Sequence, residues 1–143
     1  AGLLHDVTKA LPGPEQLKLC DKYGIILDNV ERTAPKLLHS KTGAAIAKYE
    51  FGVPDRVADA IYWHTTGKAD MNLLEKVLFM ADYIEPTRDF EGVEELRRLA
   101  YEDLEGSMML GLEITAQEVR ERGQTLHVKS VEAMDWLRER EGK

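Results

Sequence analysis

The feature that most constrains the fold of this chain is its punctuation. Pro14 opens the run EQLKLCDKYG, Pro35 opens KLLHSKTGAAIAKYEFG, Pro54 opens DRVADAIYWH, and Pro86 follows NLLEKVLFMADYIE. Proline suits the first turn of a helix, where its missing N–H would have no partner, and it ends a helix elsewhere. Gly24 and Gly52 close the first two runs, as left-handed C-caps do. Between these marks apolar residues recur at helical spacing: Leu37, Leu38, Ala44, Ala45 and Ala47, then Val57, Ile61 and Tyr62. The run holding Leu73, Leu74, Val77, Leu78, Met80, Ala81 and Ile84 is apolar nearly all round and is expected to be a central helix. GVEELRRLAYEDLE, SMMLGLEITAQEVRERG and VKSVEAMDWLRER are further amphipathic helices, with Gly123 closing the second of them. The stretch IILDNVERTAP reads as irregular, and no stretch alternates as a strand would. The fold class is therefore all-α, a helical bundle.

Its 143 residues suit one domain, 1–143, with a single core. Hydrophobic residues at 43% and charged residues at 31% exclude a disordered or fibrous chain. A net charge of −7 without any Lys/Arg-rich run argues against a nucleic-acid partner. Cys20 is the only cysteine, so no intrachain disulfide forms and the cytoplasm is the expected location. No apolar run approaches the roughly 18 to 20 residues of a membrane span. The chain starts at Ala1, and AGLLHD reads as the interior of a helix without cap residues, so an upstream helix is expected to be missing.

Two carboxylates stand in costly places. Asp6 lies inside the apolar opening stretch AGLLHDVTK, and Asp82 has Leu78 and Phe79 one helical turn away. A buried carboxylate has to be hydrogen-bonded, paired or bound to a metal. His5, His39 and His64 each fall at or near the end of an apolar helical segment, whereas His127, in GQTLHVKS, reads as a surface or capping residue. Any one of the first three, taken singly, is more often a hydrogen-bonded core or capping histidine. Together with Asp6 and Asp82 they form a set of imidazole and carboxylate ligands suited to iron, manganese, cobalt or zinc.

These residues stand in the words LLHDVTK, LLHSKTGA, IYWHTTGK and FMADYIEPTR, in the order found in the HD-domain metal-dependent phosphohydrolases, which the chain resembles. HTTGKADMNLLEKVLFMADYIEPTRDFEGVEELRRLA and the tail LHVKSVEAMDWL are similar to the YqeK-type bacterial branch, the symmetrical hydrolases of diadenosine tetraphosphate. The resemblance implies a helical bundle with two divalent metal ions, iron first among the candidates, and cleavage of the polyphosphate at its middle to two ADP. It implies that Asp6 bridges the ions, that His39 and His64 complete one, and that His5 and Asp82 hold the other. A further family histidine, upstream of the HD pair, has no counterpart here.

The chemistry suits the residue types: paired cations neutralise phosphate oxygens and bring a bound water toward neutral pKa, so no serine or cysteine nucleophile is required. Asp6 and Lys9 are the catalytic candidates, Lys9 as a cation for a phosphate oxygen or as an exposed helix-end lysine. Thr65, Thr66 and Gly67 offer a phosphate cradle, Arg88 a bidentate phosphate donor or a partner for Glu85, and Tyr83 a base-stacking ring or a core aromatic. Two other readings stay open: an HD phosphohydrolase of a guanosine alarmone or a deoxynucleotide, and a degenerate domain that binds nucleotide without turnover. The sequence leaves room for a homodimer.

Overall fold

A computed structural model describes residues 1–141, which leaves the last two positions of the expected 1–143 domain outside the described residues. The elements are α1 (Gly13–Tyr23), α2 (Asn29–Thr33), a 3-10 turn (Pro35–Leu37), α3 (Leu38–Glu50), α4 (Asp55–Tyr62), α5 (Leu73–Ile84), α6 (Val93–Glu102), α7 (Leu104–Glu121) and α8 (Val128–Glu141). No strand occurs among the described residues, in agreement with the all-α pattern. None of these helices is long and apolar enough to cross a membrane. The chain clusters into two compact units, Ala1–Thr66 and Gly67 onward.

In the first unit, α3 packs against α1 and α4. Ala44, Ala45 and Ala47 on α3 and Ala58 and Ala60 on α4 are buried, so the helices approach closely, and Leu38 and Ile61 fill what remains. Pro14 stands in the first turn of α1, and Gly24 ends that helix at φ 67° with its N–H bonded back to Asp21 and Cys20.

Three local expectations are corrected here. Residues 29–33, read as irregular, form the short helix α2. Asp28 accepts the Glu31 N–H at 2.8 Å while Glu31 accepts the Asp28 N–H at 3.1 Å, and such a capping box satisfies two donors that a helix start leaves open. Pro35 opens a 3-10 turn, with the α-helix proper starting at Leu38. The opening residues are a series of turns: the N–H groups of Leu4, Val7, Lys9 and Leu11 each bond the carbonyl three residues back. His5 Nδ1 lies 2.6 Å from the Gly2 oxygen, which an α-helix would give to the Asp6 N–H, and Pro12 has no N–H for the Thr8 oxygen, which Gln16 Nε2 reaches instead.

The second unit joins α5 through α8 around Phe79, Met80, Leu96, Met108, Leu112 and Leu137. Here the expectation for 73–84 is corrected in part. Leu78, Phe79 and Met80 are buried, but Leu73, Leu74, Val77 and Ala81 face outward, so α5 buries one side only. Asn72 and Glu75 form a capping box at its start. At its end, Arg97 donates to the carbonyls of Ile84 (3.0 Å), Glu85 (3.0 Å) and Arg88 (2.8 Å).

Candidate metal centre

The candidate centre in the first unit gathers the opening turn, the start of α3 and the end of α4. His39 Nε2 and His64 Nε2 lie 3.1 Å apart. Asp6 Oδ1 is 3.2 Å from the first and 3.4 Å from the second. The other carboxylate oxygen, Oδ2, lies 3.3 Å from His5 Nε2 and 3.7 Å from Lys9 Nζ. Asp6 thus turns one oxygen to His39 and His64 and the other to His5. The ring of His64 meets both other imidazoles edge to face, at centroid distances of 5.1 Å for His5 and 5.0 Å for His39.

One device orients all three rings. Nδ1 of His5 lies 2.6 Å from the Gly2 carbonyl, Nδ1 of His39 is 2.7 Å from that of Lys36, and Nδ1 of His64 is 2.6 Å from that of Ile61. A carbonyl oxygen only accepts, so each Nδ1 carries a proton, and in its neutral form each ring turns a lone pair at Nε2 toward Asp6. This is the arrangement by which a backbone carbonyl fixes a ligating histidine's tautomer.

These atoms fit a cation. Asp6, His39 and His64 offer one atom each, all within 4.8 Å of one another. Asp6 Oδ1 is buried and accepts no hydrogen bond among the described residues. A carboxylate oxygen facing two lone pairs in a buried place is repulsive unless positive charge lies among them. Burial pushes the Asp6 carboxyl upward, but the positive charge of Lys9 and of His5, His39 and His64 in their protonated form outweighs it and leaves the group below its ordinary value. It therefore stays ionised at neutral pH.

The structure places the other candidates as follows. Lys9 is half-exposed beside Asp6. Thr65 Oγ1 lies 3.0 Å from Ser40 Oγ, whose own proton goes to the Leu37 carbonyl at 3.1 Å, so Thr65 donates to Ser40. Thr66 and Gly67 are buried, and Gly67 has φ 70°, a conformation that suits glycine. In the second unit Asp82 is mostly buried on the last turn of α5, with Arg88 Nη2 3.5 Å from its carboxylate. Arg88 also donates to the Asp82 carbonyl at 3.2 Å and reaches Glu85 at 3.7 Å. Tyr83 donates to the Gly111 carbonyl at 2.9 Å and packs between Phe79 and Phe90, which favours core packing of the two roles open to it. His127 is buried rather than on the surface, and its Nδ1 accepts the Lys129 N–H at 3.0 Å, the capping role. Sequence reasoning missed Thr8, Gln16, Thr42 and Arg97, whose hydrogen bonds hold the ligand-bearing segments. Thr42, a hydroxyl among the small residues of SKTGAAIA, was the one visible signal.

The HD domain model matches residues 1–87. The symmetrical bis(5'-nucleosyl)-tetraphosphatase of Bacillus subtilis (strain 168) is 34% identical over 138 residues, which are 96% of this chain and 74% of that one. Its counterpart in Halalkalibacterium halodurans is 43% identical over 128 residues, 89% of this chain and 68% of that protein. Among solved structures, a predicted HD superfamily hydrolase involved in NAD metabolism from Clostridium acetobutylicum has a TM-score of 0.91 at 40% identity, with 96% of this chain and 74% of that chain covered. With its His5-Asp6 pair, His39 and His64 gathered as described, the chain belongs to the HD-domain family, in the branch of the symmetrical bis(5'-nucleosyl)-tetraphosphatases.

Proposed function

We propose that this chain is a metal-dependent hydrolase of nucleotide polyphosphates that cleaves diadenosine tetraphosphate at its central P–O–P bond, adding one water to give two ADP. The observation that carries the reading is the convergence of Asp6 Oδ1 with the Nε2 atoms of His39 and His64, each ring turned by its Nδ1 bond to a backbone carbonyl. Asp6, His39 and His64 hold one divalent ion in this reading, and Asp6 Oδ2 facing His5 supports a second. Asp82 is the ligand that family resemblance adds from the second unit. Iron is the first candidate, with manganese, cobalt and zinc accepted by the same donors. Bound there, the ions supply neutralisation of phosphate charge and a water of near-neutral pKa.

The chain's own groups orient and bind. Asp6 remains a carboxylate and fixes the spacing of the imidazoles around it. Lys9, half-exposed and tethered to Asp6, offers its ammonium to a phosphate oxygen. Thr65, Thr66, Gly67, Arg88 and Tyr83 complete the proposed substrate contacts. Arg88 is the strongest of these, since its guanidinium is already held in place by α5. Tyr83, with its hydroxyl and ring turned into the second unit, is the weakest. A cytoplasmic location, self-association as a homodimer and indifference to nucleic acid belong to the same proposal.

The test loads the protein with manganese, cobalt or iron and compares turnover of diadenosine tetraphosphate, a guanosine alarmone and a deoxynucleoside triphosphate. Preference for the dinucleotide supports the reading. Faster turnover of either competitor changes the substrate, and tight nucleotide binding without turnover under every metal makes the domain a binding module.

A further inference from the structure

Three polar side chains that supply no candidate ligand atom meet in the first unit: Thr8, Gln16 and Thr42, each no more than 2% exposed. Polar groups so deeply buried have to be hydrogen-bonded, and the acceptors that carry no proton fix the direction of the bonds they receive. The Thr8 carbonyl only accepts, so the end of Gln16 that lies 2.5 Å from it is the amide nitrogen. The other end is then the carbonyl oxygen, and the Thr42 hydroxyl 2.6 Å away donates to it. Thr42 Oγ1, which also lies 3.1 Å from the Leu38 carbonyl, is 2.8 Å from the Thr8 hydroxyl, and the single Thr8 proton is shared between Thr42 Oγ1 and the carbonyl oxygen of His39 at 3.0 Å. The relay joins α1, α3 and the opening turn, entering two residues after Asp6 and finishing at the backbone of His39.

We propose that Gln16, Thr42 and Thr8 are positioning residues that hold the Asp6 turn in register against His39 and thereby set the affinity of the metal centre, an inference that rests on the metal-binding reading above. The turn that carries Asp6 has no continuous helical ladder, because the N–H groups of Leu4, Val7, Lys9 and Leu11 reach back only three residues, that of His5 alone four, and two of its carbonyls serve side chains. Hydrogen bonds restrict distance and angle more narrowly than apolar contact does. A directional relay favours one register, and a carboxylate that is to ligate a metal needs that, since loss of outer partners of metal ligands weakens affinity by about 10- to 100-fold.

The test titrates cobalt(II) into the full chain and follows its visible absorption bands, with melting temperature recorded alongside. Thr42→Val and Gln16→Met are expected to bind cobalt about 10- to 100-fold more weakly and to shift the bands, while Thr42→Ser, which keeps the hydroxyl, returns both toward the parent values. Should Thr42→Val fail to fold, Gln16→Met carries the same comparison. If the relay only stabilises the fold, the variants melt earlier yet keep the parent's cobalt affinity and spectrum, which overturns this inference alone. A parent chain that binds no cobalt overturns the metal-binding reading and this inference with it.

Discussion

Arg97→Ala is expected to be among the more damaging changes in the second unit, although the side chain is a quarter exposed and supplies no candidate ligand. The last carbonyls of a helix have no partner within it, and Arg97 serves those of Ile84 and Glu85 together with that of Arg88, at 2.8 to 3.0 Å. Hydrogen bonds from a charged donor contribute about 1.5 to 3 kcal/mol each when desolvated. Water replaces part of that here, because the side chain is not fully buried and a helix end is readily hydrated, so about 1 kcal/mol per bond is the appropriate scale. The sum, about 3 kcal/mol, corresponds to a fall in melting temperature of roughly 10 °C for a chain of this length. Its pair with Glu94 adds little, since Glu94 is exposed. Arg97→Lys keeps the charge but loses the planar fork, so it recovers at most one of the three contacts and costs about 2 kcal/mol. Thermal denaturation followed by circular dichroism measures both. If Arg97→Ala melted within 2 °C of the parent, or Arg97→Lys matched the parent, the clamp would not be holding the end of α5 and the reasoning would fail.

Other substitutions probe the remaining links. His64→Ala and Asp82→Ala are each expected to lose bound metal and turnover while keeping parental helicity, because leucines, alanines and methionines elsewhere supply the packing; full metal occupancy in elemental analysis of either would remove that residue from the ligand set. Gly43→Ala should raise stability by about 0.5 to 1 kcal/mol, since an added Cβ meets the His5 oxygen, Ile61 Cγ2 and Thr8 Oγ1 at 3.5 to 3.7 Å, ordinary contact, and removes helix-interior glycine; a lower melting temperature would show that the α3 approach is tighter than described. Glu105, hydrogen-bonded by Arg140 and then by Lys76 against some desolvation, has its carboxyl lowered from the ordinary 4.5. A lowered folded-state value contributes stability that is fully present above the ordinary value and is lost as pH falls through the lowered one. Glu105→Gln should therefore flatten the acid limb of a stability profile below about pH 4.5, and an unchanged acid limb would count against the pairing.

What the sequence made legible was whatever had a periodic or punctuated cause. Pro14, Pro54 and Gly24 marked helix ends because their backbone limits act wherever they stand, and the all-helical class followed from the spacing between them. The convergence of Asp6, His39 and His64 was legible as chemistry, since a carboxylate among leucines calls for compensation. Hidden were features decided by partners distant in sequence. Gln16 looked like an unremarkable polar position on α1, yet it is buried because Thr8 and Thr42 complete its hydrogen bonds. Arg97 sat in the charged run VEELRRLAYE, where nothing local shows that its fork meets the end of α5. Leu73 and Val77 were read as inward because hydrophobicity alone does not say which sides of a helix are covered. The helix at 29–33 does have a local signal, since Asp28 and Glu31 stand at capping-box spacing.

The measurement that bears most directly on the whole account is the identity of the products. Diadenosine tetraphosphate is incubated with the metal-loaded chain, and the nucleotides are separated and quantified by ion-exchange chromatography. The account predicts two ADP for each substrate consumed, no ATP or AMP, and loss of all turnover on chelation with recovery when metal is returned. Equal amounts of ATP and AMP would place the cut away from the middle of the polyphosphate, and cleavage indifferent to chelation would mean that the cluster of Asp6, His39 and His64 does not hold the ion on which the proposed function depends.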